Sequence, residues 1–352
     1  MNEALLKRLT EAHGIPGQED RIREIVREEL KGICEFETDW MGNLICRKEG
    51  AGASSSRKKL MIAAHMDEIG FVVKHIDDKG FLKLHGLGGW DPRQMAAQRV
   101  FVHTSSGPLN GVLSLQSKPK HMLSADEMGK SPSGIDQFFV DAGLSGEEAK
   151  EKVRIGDMVT MNRTFQRMGP LCTCKSMDDR VAVYVMIEAL KAAKSHDVDV
   201  IAVATVQEEI GLRGASASGW AVNPDVVVAI DVTLANDIPG IPDSDSVTKL
   251  GQGTAIKIMD SSLICHPKVV SHFRTLAETH EIPHQMEILT AGGTDAGGIQ
   301  RLHGGIPAFT LSIPCRYVHT VNETVHESDV DASVNLLARY IEDCHNGDYR
   351  YN

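Results

Sequence analysis

Runs of consecutive apolar residues alternate along much of the chain with segments in which apolar residues recur every three or four positions. One run, from Val198 to Val206, has the length and β-branched content of a strand that is buried on both faces. Further strand-like runs lie at 59–64, 225–230, 285–289 and 307–313, and helical patterns lie at 2–12, 18–32, 177–194, 267–281 and 328–345. This alternation predicts an α/β fold in which helices flank a mixed, mostly parallel sheet.

The pattern changes between residues 69 and 162. Short alternating stretches are separated there by turns that contain Gly, Asp and Pro, which is typical of a small antiparallel barrel or sandwich. Helical patterns interrupt it only around 134–142 and 146–152. We therefore predict a main domain formed by residues 1–68 and 163–352, with a small antiparallel β-barrel domain, residues 69–162, inserted into it.

The composition argues against several classes of partner. The 352 residues carry a formal net charge of −11, and Lys and Arg are scattered rather than clustered, which argues against nucleic acid or an anionic membrane. No apolar run approaches the roughly 20 residues that a membrane span needs, and the first residues form an amphipathic pattern rather than a signal peptide. We therefore expect a cytoplasmic protein.

The 7 cysteines are an odd number and mostly lie far apart, so we expect them to be reduced. The exception is the pair Cys172 and Cys174. These two could form a metal or redox pair, but alternate positions on a strand are more simply explained by two small residues that face the core.

Side chains that can bind metals follow the predicted core strands or begin the next helix. They are His65 with Asp67, Asp178 with Asp179, Glu208 with Glu209, Asp231 and His319. A single strand-end histidine is more often a satisfied polar residue, and an aspartate at a helix start is usually a cap. In an open α/β sheet, however, ligands collect beyond the carboxyl ends of the strands, so this recurrence at one edge indicates a site.

Imidazole and carboxylate ligands without thiolate suit Zn²⁺, Co²⁺ or Mn²⁺ in an open catalytic site. Two histidines and three carboxylates are the right inventory for two ions that share one carboxylate and one water. His65 and Asp67 share a face of their strand, so Asp67 can orient a ligating imidazole. Glu208 and Glu209 point in different directions as neighbours, so one can ligate while the other stays free as a general base.

Seven stretches of the chain carry a family resemblance. They are AHMDEIGF at 64–71, LGGW at 87–90, SMDDR at 176–180, VQEEIGLRGA at 206–215, AID at 229–231, GGTDAG at 292–297 and RYVHT at 316–320. In this order they resemble the dinuclear aminopeptidases of metallopeptidase family forty-two, which include tetrahedral, deblocking and bacterial glutamyl aminopeptidases. The resemblance spans nearly the whole chain.

The resemblance implies a role for each candidate residue. Asp178 would be the bridging ligand, and Glu208 would be the general base. Asp67 would be the aspartate that orients a ligating imidazole. The terminal ligands would be His65, Asp231, Glu209 and His319. Zn²⁺ is the expected ion, with Co²⁺ or Mn²⁺ as alternatives. The residues beside the bridge, Met177 and Asp179, depart from those common in the family and are expected to take no part in ligation.

The resemblance also implies a zinc-aminopeptidase-like catalytic domain that is split by an inserted barrel used in dimerisation, with dimers assembling into a tetrahedral dodecamer. The expected activity is the removal of N-terminal residues from short peptides by a water that the ions share and Glu208 activates. Alternatives are a deacylase or carboxypeptidase acting on N-acyl amino acids, a glycosidase, which would leave the histidines unexplained, and a non-catalytic assembly protein. The preferred N-terminal residue, whether acidic, neutral or basic, stays open.

Overall fold

The computed structural model describes residues 1–53 and 57–351. The helices are α1 (Glu3–Glu11), α2 (Asp20–Glu29), α3 (Ala125–Met128), α4 (Gly146–Lys152), α5 (Met177–Ala192), α6 (Arg213–Val222), α7 (Pro267–Thr279), α8 (Asp295–Ile299) and α9 (Glu327–Asp343). The strands are β1 (Glu35–Thr38), β2 (Leu44–Lys48), β3 (Lys59–His65), β4 (Gly70–Ile76), β5 (Leu82–Leu87), β6 (Gln98–Thr104), β7 (Gly107–Leu115), β8 (Phe138–Asp141), β9 (Met158–Met161), β10 (Gln166–Met168), β11 (Leu171–Cys174), β12 (Asp199–Thr205), β13 (Val226–Leu234), β14 (Thr254–Met259), β15 (His284–Ile288), β16 (Ala308–Arg316) and β17 (Glu323–His326).

The chain divides into two units. The first comprises Met1–Asp67, Phe165–Val318 and the residues from Asn322 onward, and the second comprises Glu68–Thr164 together with His319–Val321. The three residues 319–321 thus join the second unit although they lie more than 150 positions after its main segment. No helix in the described part of the chain has the length and apolar character that a membrane crossing requires.

The large sheet of the first unit contains the predicted core strands. Its order is β1-β2-β12-β3-β13-β16-β17-β11-β10, and β14 pairs with both β15 and β16. The central strands β12, β3, β13 and β16 are parallel to one another. Because nearly every residue of these strands is buried, their sequences read as continuous apolar runs rather than alternating ones.

Helices pack on this sheet in two groups. Helices α5 and α9 contact each other, and α5 also packs on β3 and β13. Helices α6 and α8 contact each other, and α8 packs on β3, β13 and β16. The predicted class, a mostly parallel sheet flanked by helices, is therefore confirmed. Among the described residues, neither Cys172 nor Cys174 forms a disulfide, and both are buried on β11, where they face the core.

The second unit is a closed barrel with the strand order β4-β5-β8-β7-β6-β9, which confirms the predicted antiparallel barrel. Its core is filled by inward-facing side chains such as Phe71, Val100 and Leu113. The helical interpretation of 134–142 was wrong. Only Ile135–Gln137 forms a short 3₁₀ turn, and β8 follows, because Phe138 and Val140 are buried at alternate positions, as a barrel strand requires.

Candidate metal centre

The first unit holds a buried group of potential metal ligands. One ligand atom from each of His65, Asp178, Asp179 and Asp231 lies within 4.8 Å of the others. The Nε2 atom of His65 is 3.2 Å from Oδ1 of Asp178. Asp178 is the most exposed of the four, at 7%. Three of the predicted ligands therefore lie together, and Asp179 joins them.

The sheet opens where this group lies. His65 is the last residue of β3 and is level with Thr205 on β12. On its other side, β3 pairs with β13 only as far as Ala63 and Ala229. Asp231 lies two residues further on, within β13 rather than at its end, since the strand continues to Leu234. The parting of β3 from β13 makes room for side chains beyond the carboxyl end of β3, as is usual for ligand sites in α/β sheets.

Asp178 and Asp179 lie at the start of α5 but are not part of its regular helix. Asp178 has φ −74° and ψ 107°, and Asp179 has φ −119° and ψ 32°. The backbone N–H of Asp178 donates to Oε2 of Glu323 at 2.9 Å, so a side chain of β17 satisfies one of the N–H groups that a helix start leaves without an acceptor. The two acids therefore lie in an irregular first turn of α5.

The expectation that Asp179 takes no part in ligation stays a prediction, although its side chain is buried and lies within the ligand group. Its Oδ2 accepts a hydrogen bond of 3.3 Å from the backbone N–H of His65. Its Oδ1 is buried and has no hydrogen-bond partner among the residues that the structure describes. Buried oxygens are rarely left in this state, so an unpaired carboxylate oxygen beside three other ligand atoms is an observation that fits a cation.

The electrostatics of the group also fit a cation. Burial, and then the charge of Asp231, raise the pKa of Asp179 well above its usual value, and burial likewise raises the pKa of Asp231. Burial opposes protonation of His65, yet the charges of Glu208 and Asp179 raise the pKa of its imidazole. A nearby buried cation, Lys257, is already paired with Glu287 at 2.9 Å, so a bound metal ion would offset the negative charge far better.

Asp67 contacts the imidazole mainly through its backbone. The Nδ1 atom of His65 is 3.0 Å from the carbonyl oxygen of Asp67 and 3.5 Å from the carboxylate Oδ1. An Nδ1–H that donates to this carbonyl leaves Nε2, which faces Asp178, as the ligating nitrogen. The backbone carbonyl and the carboxylate of Asp67 thus both lie near the His65 ring, and the carbonyl is the closer of the two.

The carboxylate of Asp67 instead holds the segment that follows β12. Its Oδ1 accepts from the backbone N–H of Glu208 at 3.0 Å, and its Oδ2 accepts from that of Glu209 at 3.1 Å. The side chain of Glu208 reaches the ligand group, with Oε2 3.8 Å from Nε2 of His65. Burial, and the charges of Asp231 and Glu209, raise the pKa of Glu208 well above its usual value.

His319 belongs to the second unit and lies on the connection between β16 and β17. Its backbone is left-handed, with φ 61°. A Cβ at Gly89 would lie 3.0 Å from Nδ1 of His319, so any larger residue there would require the imidazole ring to shift by a few tenths of an ångström.

Asp295, from the GGTDAG stretch, is a further buried acid with no role assigned from the sequence. Its Oδ2 accepts from Oγ1 of Thr205 at 2.5 Å, and burial raises its pKa to about 6. The glycines after it permit close packing, because a Cβ at Gly297 would lie 2.3 Å from Oγ of Ser262. The sequence gave no indication that this aspartate faces Thr205.

Comparisons with known proteins agree with this arrangement. The family model described as M42 glutamyl aminopeptidase matches residues 42–336, and a shorter model, AMPT, matches residues 2–25. The lysyl aminopeptidase of Pyrococcus furiosus is 35% identical over 96% of this chain and 96% of its own length.

Two solved structures are similar over nearly their whole length. An aminopeptidase from the archaeon Desulfurococcus kamchatkensis has a TM-score of 0.91 at 40% identity and covers 97% of this chain and 94% of its own. The TET1 peptidase of Pyrococcus horikoshii, which can assemble into a tetrahedron or a large octahedral shell, has a TM-score of 0.85 at 33% identity, covering 96% and 98%. With a family model matched over most of its sequence, the chain belongs to the M42 glutamyl aminopeptidase family and is a metallo-aminopeptidase.

Proposed function

We propose that this aminopeptidase uses two divalent ions to remove N-terminal residues from short peptides, with Glu208 as its general base. The observation that carries the proposal is the buried group of His65, Asp178, Asp179 and Asp231, with the Glu208 carboxylate 3.8 Å from the His65 imidazole. A buried set of acids in this number is costly without cations, and a free carboxylate beside it is what hydrolysis requires.

The ligands divide between the two ions. His65 and Asp231 would hold one ion, Glu209 and His319 the other, and Asp178 would bridge them. Proximity of His65, Asp178 and Asp231 in the first unit supports the first half of this assignment. The donors are imidazole and carboxylate without thiolate, which suits Zn²⁺ first, with Co²⁺ or Mn²⁺ as alternatives.

Divalent ions bound here would lower the pKa of a coordinated water and polarise the substrate carbonyl. The chain supplies the remaining elements. Glu208 takes a proton from the attacking water and gives it to the departing amine. Asp67 keeps Glu208 in place, because its carboxylate holds the backbone N–H groups of both Glu208 and Glu209. The carbonyl of Asp67, at Nδ1 of His65, fixes the orientation of the imidazole.

A substrate panel tests the activity. Purified protein would be loaded separately with Zn²⁺, Co²⁺ and Mn²⁺ and assayed on aminoacyl arylamides with acidic, neutral and basic side chains. N-acetyl amino acids would be assayed in parallel, because a deacylase of the alternative class would cleave these instead. Release from the arylamides, abolished by a chelator and restored by metal, is the expected result. Turnover that survives complete metal removal would contradict the proposal.

We also propose that the chain forms a homo-oligomer, with dimers made through the barrel and assembled into a tetrahedral dodecamer in the cytoplasm. The assembly of the TET1 peptidase into a tetrahedron or an octahedral shell supports this proposal. Light scattering after size-exclusion chromatography would measure the mass, and a mass equal to the 38.4 kDa monomer would contradict it.

A further inference from the structure

In the segment from Val206 to Glu209, four consecutive backbone N–H groups donate hydrogen bonds to side-chain oxygens. Oδ1 of Asn43 accepts from Val206 at 3.0 Å, and Oε1 of Glu19 accepts from Gln207 at 3.2 Å. Asp67 accepts from the next two N–H groups. Three side chains from separate parts of the first unit therefore determine the path of the backbone that carries Glu208.

Gln207 is the position in this segment that most needs support. Its φ of 57° lies in the left-handed region, which is sterically unfavourable for a residue other than glycine. The residue immediately after it is Glu208, so a rotation at Gln207 would turn the Glu208 side chain away from the ligand group. The hydrogen bond from the Gln207 N–H to Glu19 opposes that rotation.

Glu19 is itself held in place. It is only 2% exposed, and its Oε1 also accepts from the backbone N–H of Gly17 at 2.7 Å. Arg180 stabilises the connection between α1 and α2, which precedes Glu19, because its guanidinium donates to the carbonyls of Ala12 and Gly14. Arg180 also donates to the carbonyl of Met66 at 2.6 Å, between His65 and Asp67. The connection between α1 and α2 is thus bonded to the segment that follows β3, through Arg180, and to the segment that follows β12, through Glu19.

We infer that Glu19 is a positioning residue for catalysis, which fixes the left-handed backbone of Gln207 and through it the direction of the Glu208 carboxylate. The inference rests on the proposed role of Glu208 as the base. Burial, and then the charge of Asp67, raise the pKa of Glu19 to about 7. A neutral side chain with the same acceptor oxygen should therefore serve almost as well as glutamate.

The test uses the metal-loaded, full-length enzyme and an arylamide substrate. Glu19→Ala should lower kcat about 10- to 100-fold, because a displaced catalytic group costs rate of this order, and KM should change by less than about threefold. Glu19→Gln keeps Oε1 and should retain kcat within about threefold of the unmutated enzyme. Glu19→Asp keeps the charge on a shorter side chain and should lose about tenfold in kcat.

Metal content and the visible spectrum of the Co²⁺-loaded protein supply a readout besides activity, and both should be unchanged in all three variants. Glu24→Ala, at an exposed position of α2, the helix that begins directly after Glu19, is the matched control and should behave like the unmutated enzyme. Unchanged kcat in Glu19→Ala or Glu19→Asp would overturn the inference, as would a loss of kcat that merely follows lost metal or lost folded protein. Glu208→Gln is assayed alongside. Full activity there would reject the proposed base itself, whereas an inactive Glu208→Gln with a normal Glu19→Ala would reject only the role of Glu19.

Discussion

The carboxylate of Asp67 accepts a hydrogen bond of 3.0 Å from the backbone N–H of Glu208. These residues lie 141 positions apart, just beyond the ends of two neighbouring parallel strands. One aspartate therefore has two tasks, since its carbonyl holds the His65 imidazole while its carboxylate holds the segment with the proposed base. A change at Asp67 should disturb both.

Asp67→Asn tests this double role. An amide can accept at one oxygen, but its NH₂ group would face the second backbone N–H, so one hydrogen bond is lost and a buried donor is left unpaired. We expect the unfolding free energy to fall by about 1–3 kcal/mol and kcat to fall about 10- to 100-fold. Chemical denaturation and steady-state kinetics measure the two effects. Asp243→Asn, at an exposed carboxylate paired with Lys249, is the control, and equal behaviour of the two variants would contradict the prediction.

Glu208→Gln removes the proposed base while keeping the shape of the side chain. Metal content should stay at the unmutated level, because Glu208 is not among the proposed ligands. Turnover should fall about 100- to 10,000-fold, the usual contribution of general acid–base catalysis. Elemental analysis and arylamide kinetics on the same sample measure both quantities. Unchanged turnover would remove Glu208 as the base.

The neighbours Asp178 and Asp179 should differ in what they do for the metals. Asp178→Ala should lose the bridging ligand and with it the occupancy of two ions, as measured by elemental analysis and by Zn²⁺ titration. Asp179→Asn retains an acceptor for the His65 N–H and should keep both ions, with weaker affinity because one negative charge is gone. Two full equivalents in Asp178→Ala would show that the bridge lies elsewhere.

Metal removal should destabilise the protein more at high pH than at low pH. The pKa values of Asp179, Asp231 and Glu208 are raised by burial and mutual repulsion, and that of His65 is raised by these carboxylates. The metal-free folded state therefore binds more protons than the unfolded state, so its stability falls as pH rises above about 4. Thermal melts of metal-free and Zn²⁺-loaded protein at pH 5.5 and pH 8 should show a wider gap in Tm at pH 8. An equal gap at both would contradict this.

Glu19 should contribute a pH dependence of its own with the same sign. Its pKa rises to about 7 in the folded protein from an unfolded value of 4.5, so its contribution weakens as pH rises between these values. Glu19→Gln should therefore gain stability relative to the unmutated protein on going from pH 5 to pH 8, by up to about 3 kcal/mol. Denaturation at both pH values, with Glu24→Gln as the control, measures the difference. A constant difference would show that Glu19 does not titrate in this range.

Periodicity in the sequence was sufficient to predict the architecture, because the burial of each strand is reflected in its own pattern of apolar residues. The residues of β3 and β12 are buried on both faces, and each strand therefore reads as an uninterrupted apolar run. The alternation in the barrel segment arises in the same way from strands with one buried face. At 134–142 the hydrophobic pattern was ambiguous, and the helical interpretation was wrong. Phe138 and Val140 are buried at alternate positions, as in a barrel strand.

Candidate residues were also visible in the sequence, since His65 and the two acids after β12 end apolar runs, where α/β sheets collect their chemistry. Their partners were not visible, because hydrogen bonds between distant segments leave no period in the sequence. Only the tertiary structure could bring Asp179 to the His65 backbone across 114 positions and Glu19 to Gln207 across 188. The chain's local pattern of burial thus determined which segments form the sheet, while packing of remote segments decided which side chains hold the proposed base in place.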